Sequence, residues 1–282
     1  MAEQQRRRPA RPHRAHVLRT ERLTPHMIRV VVGGPALSGF TMGDFTDHYI
    51  KLLFLQPGVD YPQPLDLEVV RRHFPREQWP ASRTYTVRSF DADTLELAID
   101  FVHHGDEGLA GPWAAHAQPG DELLFNGPGG GYAPSPDADW HLLAGDESAL
   151  PAISAALERL PANAPARVFV EVAGPEEEQA LADNGSTEVV WVHRADAPIG
   201  EKLVEAVRGL TFPDGRVHAF VHGEAKLVKE LRHVLRVEHG LPREQLSISG
   251  YWRRGVNEDG WQSSKSDWNR QVEEAEARAI AS

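Results

Sequence analysis

The sequence predicts a two-domain β plus α/β protein, in which six antiparallel strands, forming a barrel or a sandwich, are followed by an α/β domain built on a parallel sheet. Three observations lead there. Short segments of alternating apolar residues come first, before any long helical pattern; a proline-rich break follows at residues 132–139; beyond it, strands and helices alternate.

The strand-like segments are 15–22, 27–32, 49–55, 83–90, 94–101 and 122–127, each bounded by Gly, Pro or Asp. Six such strands before any long helix suggest an antiparallel barrel or sandwich. After the break, strands are expected at 140–145, 166–172, 188–193, 216–222 and 245–251, with helices at 149–160, 176–184, 203–209 and 225–238. Such alternation places helices on the faces of a parallel sheet, an arrangement that commonly binds nucleotides. The expected divisions are a basic arm (1–16), the barrel domain (17–136), the α/β domain (137–260) and a helical extension (261–282).

Composition narrows the chemistry. The 282 residues, 41% hydrophobic and 25% charged, suffice for two cores. The absence of cysteine excludes disulfides, thiolate zinc sites and Cys-ligated iron–sulfur clusters, so redox chemistry would need an organic cofactor or a His/carboxylate metal site. No apolar run approaches the roughly 20 residues of a membrane span, and the N-terminus lacks the apolar segment of a signal peptide, so a cytoplasmic location is expected. A net charge of −11 argues against a nucleic-acid-binding surface, although Arg6, Arg7, Arg8, Arg11 and Arg14 form a basic arm that reads as a solvated tail or a contact for an anionic partner.

The run Ser82-Arg83-Thr84-Tyr85-Thr86-Val87-Arg88 alternates an Arg, an aromatic and hydroxyl residues along one strand. This pattern suits a flavin: the guanidinium fork pairs with phosphate, the ring lies against isoalloxazine, and a hydroxyl or amide reaches its polar edge; the alternative is an amphipathic strand with a buried Tyr. Two β-α junctions offer free amides to a pyrophosphate. One is Gly145-Asp146-Glu147-Ser148-Ala149, where the competing reading is a helix start capped by Asp146 or Ser148. The other is the glycine loop after Asp100-Phe101-Val102-His103-His104, leading to a short helix near Gly111. His103 and His104 point to opposite faces of a strand and have no third ligand at suitable spacing, so stacking or hydrogen bonding is favoured over metal binding, and no metal site is expected.

Four segments together carry a resemblance: 83–88, 100–105 with its glycine loop, 145–152, and Ser249-Gly250-Tyr251-Trp252-Arg253-Arg254-Gly255. In this order they resemble the siderophore-interacting protein family, flavin-dependent ferric-siderophore reductases of the ferredoxin-reductase-like superfamily, over residues 19–268. The resemblance implies a ferredoxin–NADP reductase-like fold, with an N-terminal six-stranded antiparallel β-barrel that binds FAD and an α/β domain that receives NADH or NADPH. It assigns Arg83 to the FAD diphosphate, Tyr85 to the flavin, and Thr84 and Thr86 to the seat around it. Val102 and His104 would flank the cofactor, and Gly108, Ala110 and Trp113 would line its diphosphate and adenine region. Gly145, Asp146, Glu147, His222, Gly223 and Glu224 would form the nicotinamide-nucleotide site. Leu109 departs from the family pattern, where a Pro is usual.

Reduced nicotinamide gives two electrons at once whereas Fe(III) takes one, so a flavin is needed between them, and no acid/base residue is implied. Fe(II) is held less tightly than Fe(III) by hard oxygen donors, so reduction releases the iron. Lys51, Arg88, Arg253 and Arg254 are expected to form a basic mouth for an anionic ferric-siderophore, the alternative being ordinary surface ion pairs. Arg194, at the end of the strand 188–193, could pair with a 2′-phosphate, with Asp196 opposing it, so NADH against NADPH stays open. Trp261 and Trp268, seven apart, could share a helix face, and the extension could fold back to tune access to the site. Two other functions remain: an NAD(P)H:flavin or ferredoxin/flavodoxin reductase of the same fold, and a non-enzymatic module binding nucleotide or siderophore. The siderophore is not specified by the sequence, nor is the oligomeric state, for which a monomer is the expectation.

Overall fold

A computed structural model of the chain describes residues 11–281. Arg6, Arg7 and Arg8 of the basic arm lie outside the described residues. Arg14 belongs to the first strand and pairs with Glu122 at 2.6 Å.

Strands β1 (His13–Thr24), β2 (Met27–Gly33), β3 (Tyr49–Phe54), β4 (Ala81–Asp91), β5 (Glu96–Val102) and β6 (Glu122–Gly129) close an antiparallel barrel in the order β1-β2-β5-β4-β3-β6. Alternation decides which side chains go inside: Val30 and Val32, Ile50 and Leu52, and Leu97, Ile99 and Phe101 all fill the interior. Each fully buried aliphatic side chain stabilises the barrel by about 1.5–3 kcal/mol over its exposed state.

Between β3 and β4 lies a short helix absent from the sequence reading, α1 (Leu67–His73), whose N-cap Asp66 accepts from the Glu68 and Val69 amides. A seven-residue helix is marginal alone. Here Val70 packs with Tyr61 and Leu65 on Leu53 and Leu124 of the barrel's outer face. Helix α2 (Ala110–His116) presents Ala110 and Ala114 to the barrel core, and its Gly111 has no room for a Cβ, which would stand 3.0 Å from the Val102 carbonyl.

The second domain holds β7 (Trp140–Gly145), β8 (Ala166–Val172), β9 (Thr187–His193), β10 (Val217–Glu224) and β11 (Leu246–Trp252) in a parallel sheet of order β11-β10-β7-β8-β9. Helices α3 (Leu150–Leu157), α4 (Glu201–Arg208) and α5 (Ala225–His233) cover its faces, and α5 ends in a π turn at Val234–Glu238. With the barrel, this is the ferredoxin–NADP reductase-like plan.

The helix expected at 176–184 does not form. One 3-10 turn, Pro175–Glu177, is followed by irregular chain. Tertiary contacts override helical composition here. Glu177, only 3% exposed, turns into the barrel and accepts from the Thr24 hydroxyl at 2.5 Å and the His26 amide at 3.2 Å, while its other oxygen meets His26 Nδ1 at 2.5 Å. Beside this latch Met27 of β2 joins the apolar core of the α/β domain, with Leu23 and Val102 packed against it.

Helix α6 (Glu258–Ala281) begins earlier than the expected extension. Trp261 is buried beneath Gly250, whose Cβ would approach its ring to 3.0 Å, and Trp268 meets it edge to face at 5.4 Å. Farther along, Glu276 binds Arg232 at 2.5 Å and Arg236 at 2.9 Å, holding the helix on the α/β domain.

Candidate active site

In the α/β sheet β7 is flanked by β8 on one side and β10 on the other, so the chain turns opposite ways from adjacent strands and leaves a crevice at their C-terminal ends. The outer face of β3 and β4 stands opposite. Between them lies a cleft of about 610 Å³, bordered also by the first turns of α6.

Of the residues expected at a cofactor, Arg83, Thr84, Tyr85, Thr86, Val102, His104, Glu147 and His222 line this cleft. Arg83 donates to the neighbouring Ser82 carbonyl at 2.7 Å and approaches Asp259 of α6 at 3.4 Å. Tyr85 leans on Phe101, ring centroids 4.4 Å apart, and burial pushes its phenol above the ordinary value. Thr86 meets the Tyr251 hydroxyl across the domain boundary. Burial, then the neighbouring His26 and Arg194, pull the His104 imidazole down.

His222 is held neutral. Burial lowers it to about 3; Nε2 lies 3.0 Å from Ser247 Oγ, whereas Nδ1 is buried without a partner.

The ends of β7 and β10 take their shape from packing. A Cβ on Gly145 would stand 2.6 Å from the His222 carbonyl, and one on Gly223, at φ +140°, 2.8 Å from Cγ of Asp146. The Asp146 carboxylate is turned inward: Oδ1 accepts from the Ser148 amide at 3.0 Å and hydroxyl at 2.5 Å, and Oδ2 from the Glu224 amide at 2.8 Å and Trp252 Nε1 at 2.9 Å. Burial, then Glu147, raise it to about 6. Glu224 likewise faces its own chain, capping α5 through the Lys226 and Leu227 amides and accepting from the Arg254 amide. Gly145, Asp146, Gly223 and Glu224 therefore frame the site without lining it. Gly108, Ala110 and Trp113 do not line it either: Trp113 packs on Phe101 and Phe54, and Ala110 is buried in the barrel core.

Of the four cations expected at a basic mouth, the structure brings one to the cleft. Arg88 is drawn to Glu158 beyond α3, at 2.5 and 3.2 Å, because the outward face of β4 meets that helix. Arg253 and Arg254 are exposed in the turn after β11, away from the cleft lining. Only Lys51 of that set lines the cleft. A second lysine, Lys265 of α6, stands there, donating to Ser249 Oγ at 3.0 Å. Burial lowers its pKa, and the charge of Lys51 adds to that effect.

The carboxylates of the wall are engaged elsewhere. Asp100 is gripped by Arg29 at 2.6 and 2.8 Å, Glu147 by Arg194 at 2.9 Å, and Asp47 by the Gly131 and Tyr132 amides. Glu258 accepts from Gln262 at 3.0 Å. Lys51 has no side-chain partner among the described residues. Arg194 bonds Glu147 and Glu171 together, so the cation considered for a 2′-phosphate is already paired.

Sequence reasoning missed Lys265, Tyr49, Tyr251 and Trp252 on the cleft. Tyr49 stands two residues before Lys51 on one strand, and Lys265 four after Trp261 on one helix, spacings that place each pair on a common face.

Among known proteins, residues 16–132 match the siderophore-interacting FAD-binding domain and residues 138–255 the siderophore-interacting protein. The ferric vibriobactin reductase ViuB of Vibrio cholerae is 35% identical over 256 residues, 90% of this chain and 94% of its own. The NADPH-dependent ferric-chelate reductase of Escherichia coli is 34% identical over 241 residues, 84% of this chain and 91% of its own. The crystal structure of the siderophore-interacting protein SipS from Aeromonas hydrophila superposes with a TM-score of 0.77 at 30% identity, covering 92% of this chain and 98% of that one. Barrel, sheet order and matched domains agree, and the chain belongs to the siderophore-interacting protein family.

Proposed function

We propose that the chain is an FAD-dependent ferric-siderophore reductase that draws electrons from NADH or NADPH in the cytoplasm. The observation that carries this reading is the charge arrangement of the cleft: Asp100 and Glu147 are paired with Arg29 and Arg194 and Asp47 is held by two main-chain amides, whereas neither Lys51 nor Lys265 has an ion pair among the described residues. An anionic chelate gains most where cations in a cleft have no counter-charge of their own.

The cleft suits a flavin dinucleotide. Arg83 offers a guanidinium with room for a phosphate partner, Tyr85 an aromatic edge, and Thr84 and Thr86 hydroxyls, while His222 has a buried ring nitrogen still unpaired. Arg83, Thr84, Tyr85 and Thr86, with Val102 and His104, are assigned to FAD. When bound, FAD supplies the exchange between a hydride and single electrons. The loops at Gly145–Glu147 and His222–Glu224 are assigned to the reduced nicotinamide dinucleotide. Asp146 and Glu224 act there as positioning residues.

Over a turnover, one NAD(P)H and two ferric chelates give NAD(P)⁺, one proton and two Fe(II). The ferrous ion then leaves hard oxygen donors. The chain's own side chains are asked to bind, orient and neutralise charge, and none has to move a proton.

The test is anaerobic turnover of FAD-loaded protein with a ferric siderophore and each nicotinamide, Fe(II) being trapped by a chromogenic ligand. Two ferrous ions per nicotinamide oxidised are expected. Nicotinamide oxidation by ferredoxin, flavodoxin or free flavin, with no ferrous product from any siderophore, would refute the assignment.

A further inference from the structure

Where β6 leaves the barrel, Gly129, Gly130 and Gly131 follow one another at the edge of the cleft. None has a positive φ, so backbone conformation does not call for glycine at any of them. Contact does at two. A Cβ on Gly129 would stand 2.5 Å from Cζ of Tyr49, and one on Gly130 3.0 Å from Cβ of Phe45. The bare chain is thus a ledge on which the two side chains rest.

Both rings stay open to solvent on their other side, Tyr49 at 40% and Phe45 at 43% exposure. Of the two only Tyr49 lines the cleft; the Phe45 ring lies 6.0 Å from that of His48. Tyr49 and Lys51 are two apart on β3, share its outer face and both line the cleft. Asp47, the nearest acid in sequence, is fixed by the Gly131 and Tyr132 amides at 2.8 and 2.9 Å. The result is one flat aromatic face, backed by bare main chain, on the same strand face as an ammonium with no side-chain partner among the described residues.

Resting on the ferric-siderophore reading above, we propose that this ledge is an aromatic subsite, so that the chain selects ferric chelates whose iron donors are catecholate or phenolate rings over ferric hydroxamates. A ring that carries donor oxygens lays its π face on Tyr49 while the negative charge of the complex meets Lys51. Hydroxamate arms are aliphatic and offer no such face.

The test measures binding, without reductant, of FAD-loaded protein by calorimetry with three probes: ferric enterobactin, an anionic tris-catecholate; ferric citrate, anionic without rings; and ferrioxamine B, a tris-hydroxamate. The catecholate is expected to bind tightest. Tyr49→Leu should weaken it about tenfold and leave the other two unchanged, and Tyr49→Phe should restore it. Gly129→Ala, which keeps the ring but lifts it from the ledge, should weaken the catecholate as Tyr49→Leu does. An unchanged catecholate affinity in Tyr49→Leu, the same loss for all three probes, or tighter hydroxamate binding would overturn the subsite while sparing the reductase. A yellow, folded protein that binds none of the probes would overturn the ferric-siderophore reading as well.

Discussion

Trp252 Nε1 donates to Asp146 Oδ2 at 2.9 Å, joining the end of β11 to the loop that follows β7. The same oxygen takes the Glu224 amide at the end of β10. One buried carboxylate therefore ties three strand ends together beside the cleft. Asp146→Ala would leave its four donor groups without an acceptor and should cost about 3 kcal/mol or more in urea unfolding. Asp146→Asn, which turns one acceptor into a donor, should cost roughly 1–3 kcal/mol and shift the fluorescence of Trp252.

Stability should depend on pH through the buried histidines. Burial lowers His141 to about 4, with His218 adding to the effect, and lowers His222 to about 3, so the unfolded chain binds more protons than the folded one between those values and the ordinary histidine value. Stability therefore rises with pH across that window and is lost as pH falls through it. Asp146, raised to about 6, and Glu171, also raised by burial, oppose this, whereas burial lowers His48, His104 and His218 as well, so the histidines outweigh the two carboxyls. The melting temperature should fall between about pH 6.5 and pH 4. Both ring nitrogens of His141 are buried without partners, so His141→Leu should flatten the dependence at little cost near neutrality. A melting temperature that rises on acidification would contradict the assignment.

The latch of Glu177 with Thr24 and His26 makes the domain interface a cooperative unit. Glu177→Ala strands the Thr24 hydroxyl and the His26 amide and should destabilise the protein by about 2–3 kcal/mol. Barrel and α/β signals should coincide in the parent and separate in this variant in denaturant.

Charge at the cleft predicts a division among the cations. Lys51→Ala and Lys265→Ala should each raise KM for an anionic chelate severalfold at low salt, an effect that fades as salt is added. Arg88→Ala removes a pair in which Glu158 is 46% exposed, so it should change stability by no more than about 1 kcal/mol and leave KM alone. Equal KM effects from Arg88 and Lys51 would show that the mouth is drawn wrongly.

The barrel strands were legible because burial alternates along them, as at Ile50 and Leu52, and the parallel strands because they are continuously apolar, as at Trp140–Gly145. The segment 176–184 was not, since what decides it is Glu177 reaching Thr24, 153 residues away. The same limit applies to the site. Arg83, Tyr85 and Thr86 could be read from one strand, but Arg88 is claimed by Glu158, 70 residues on, and Lys265 reaches the cleft only because Trp261 docks its helix under Gly250. Helix α1 escaped notice because its seven residues are held by packing on the barrel's outer face rather than by periodicity.

The most direct measurement is anaerobic rapid mixing of FAD-loaded protein with NADH or NADPH and then with a ferric siderophore, followed at the flavin absorbance. Bleaching by the nicotinamide and full recovery on adding the chelate, with one ferrous ion formed per electron, is the predicted course. Absorbance that bleaches but is not restored by any ferric siderophore, or that reduced nicotinamide leaves unchanged, would contradict the electron path.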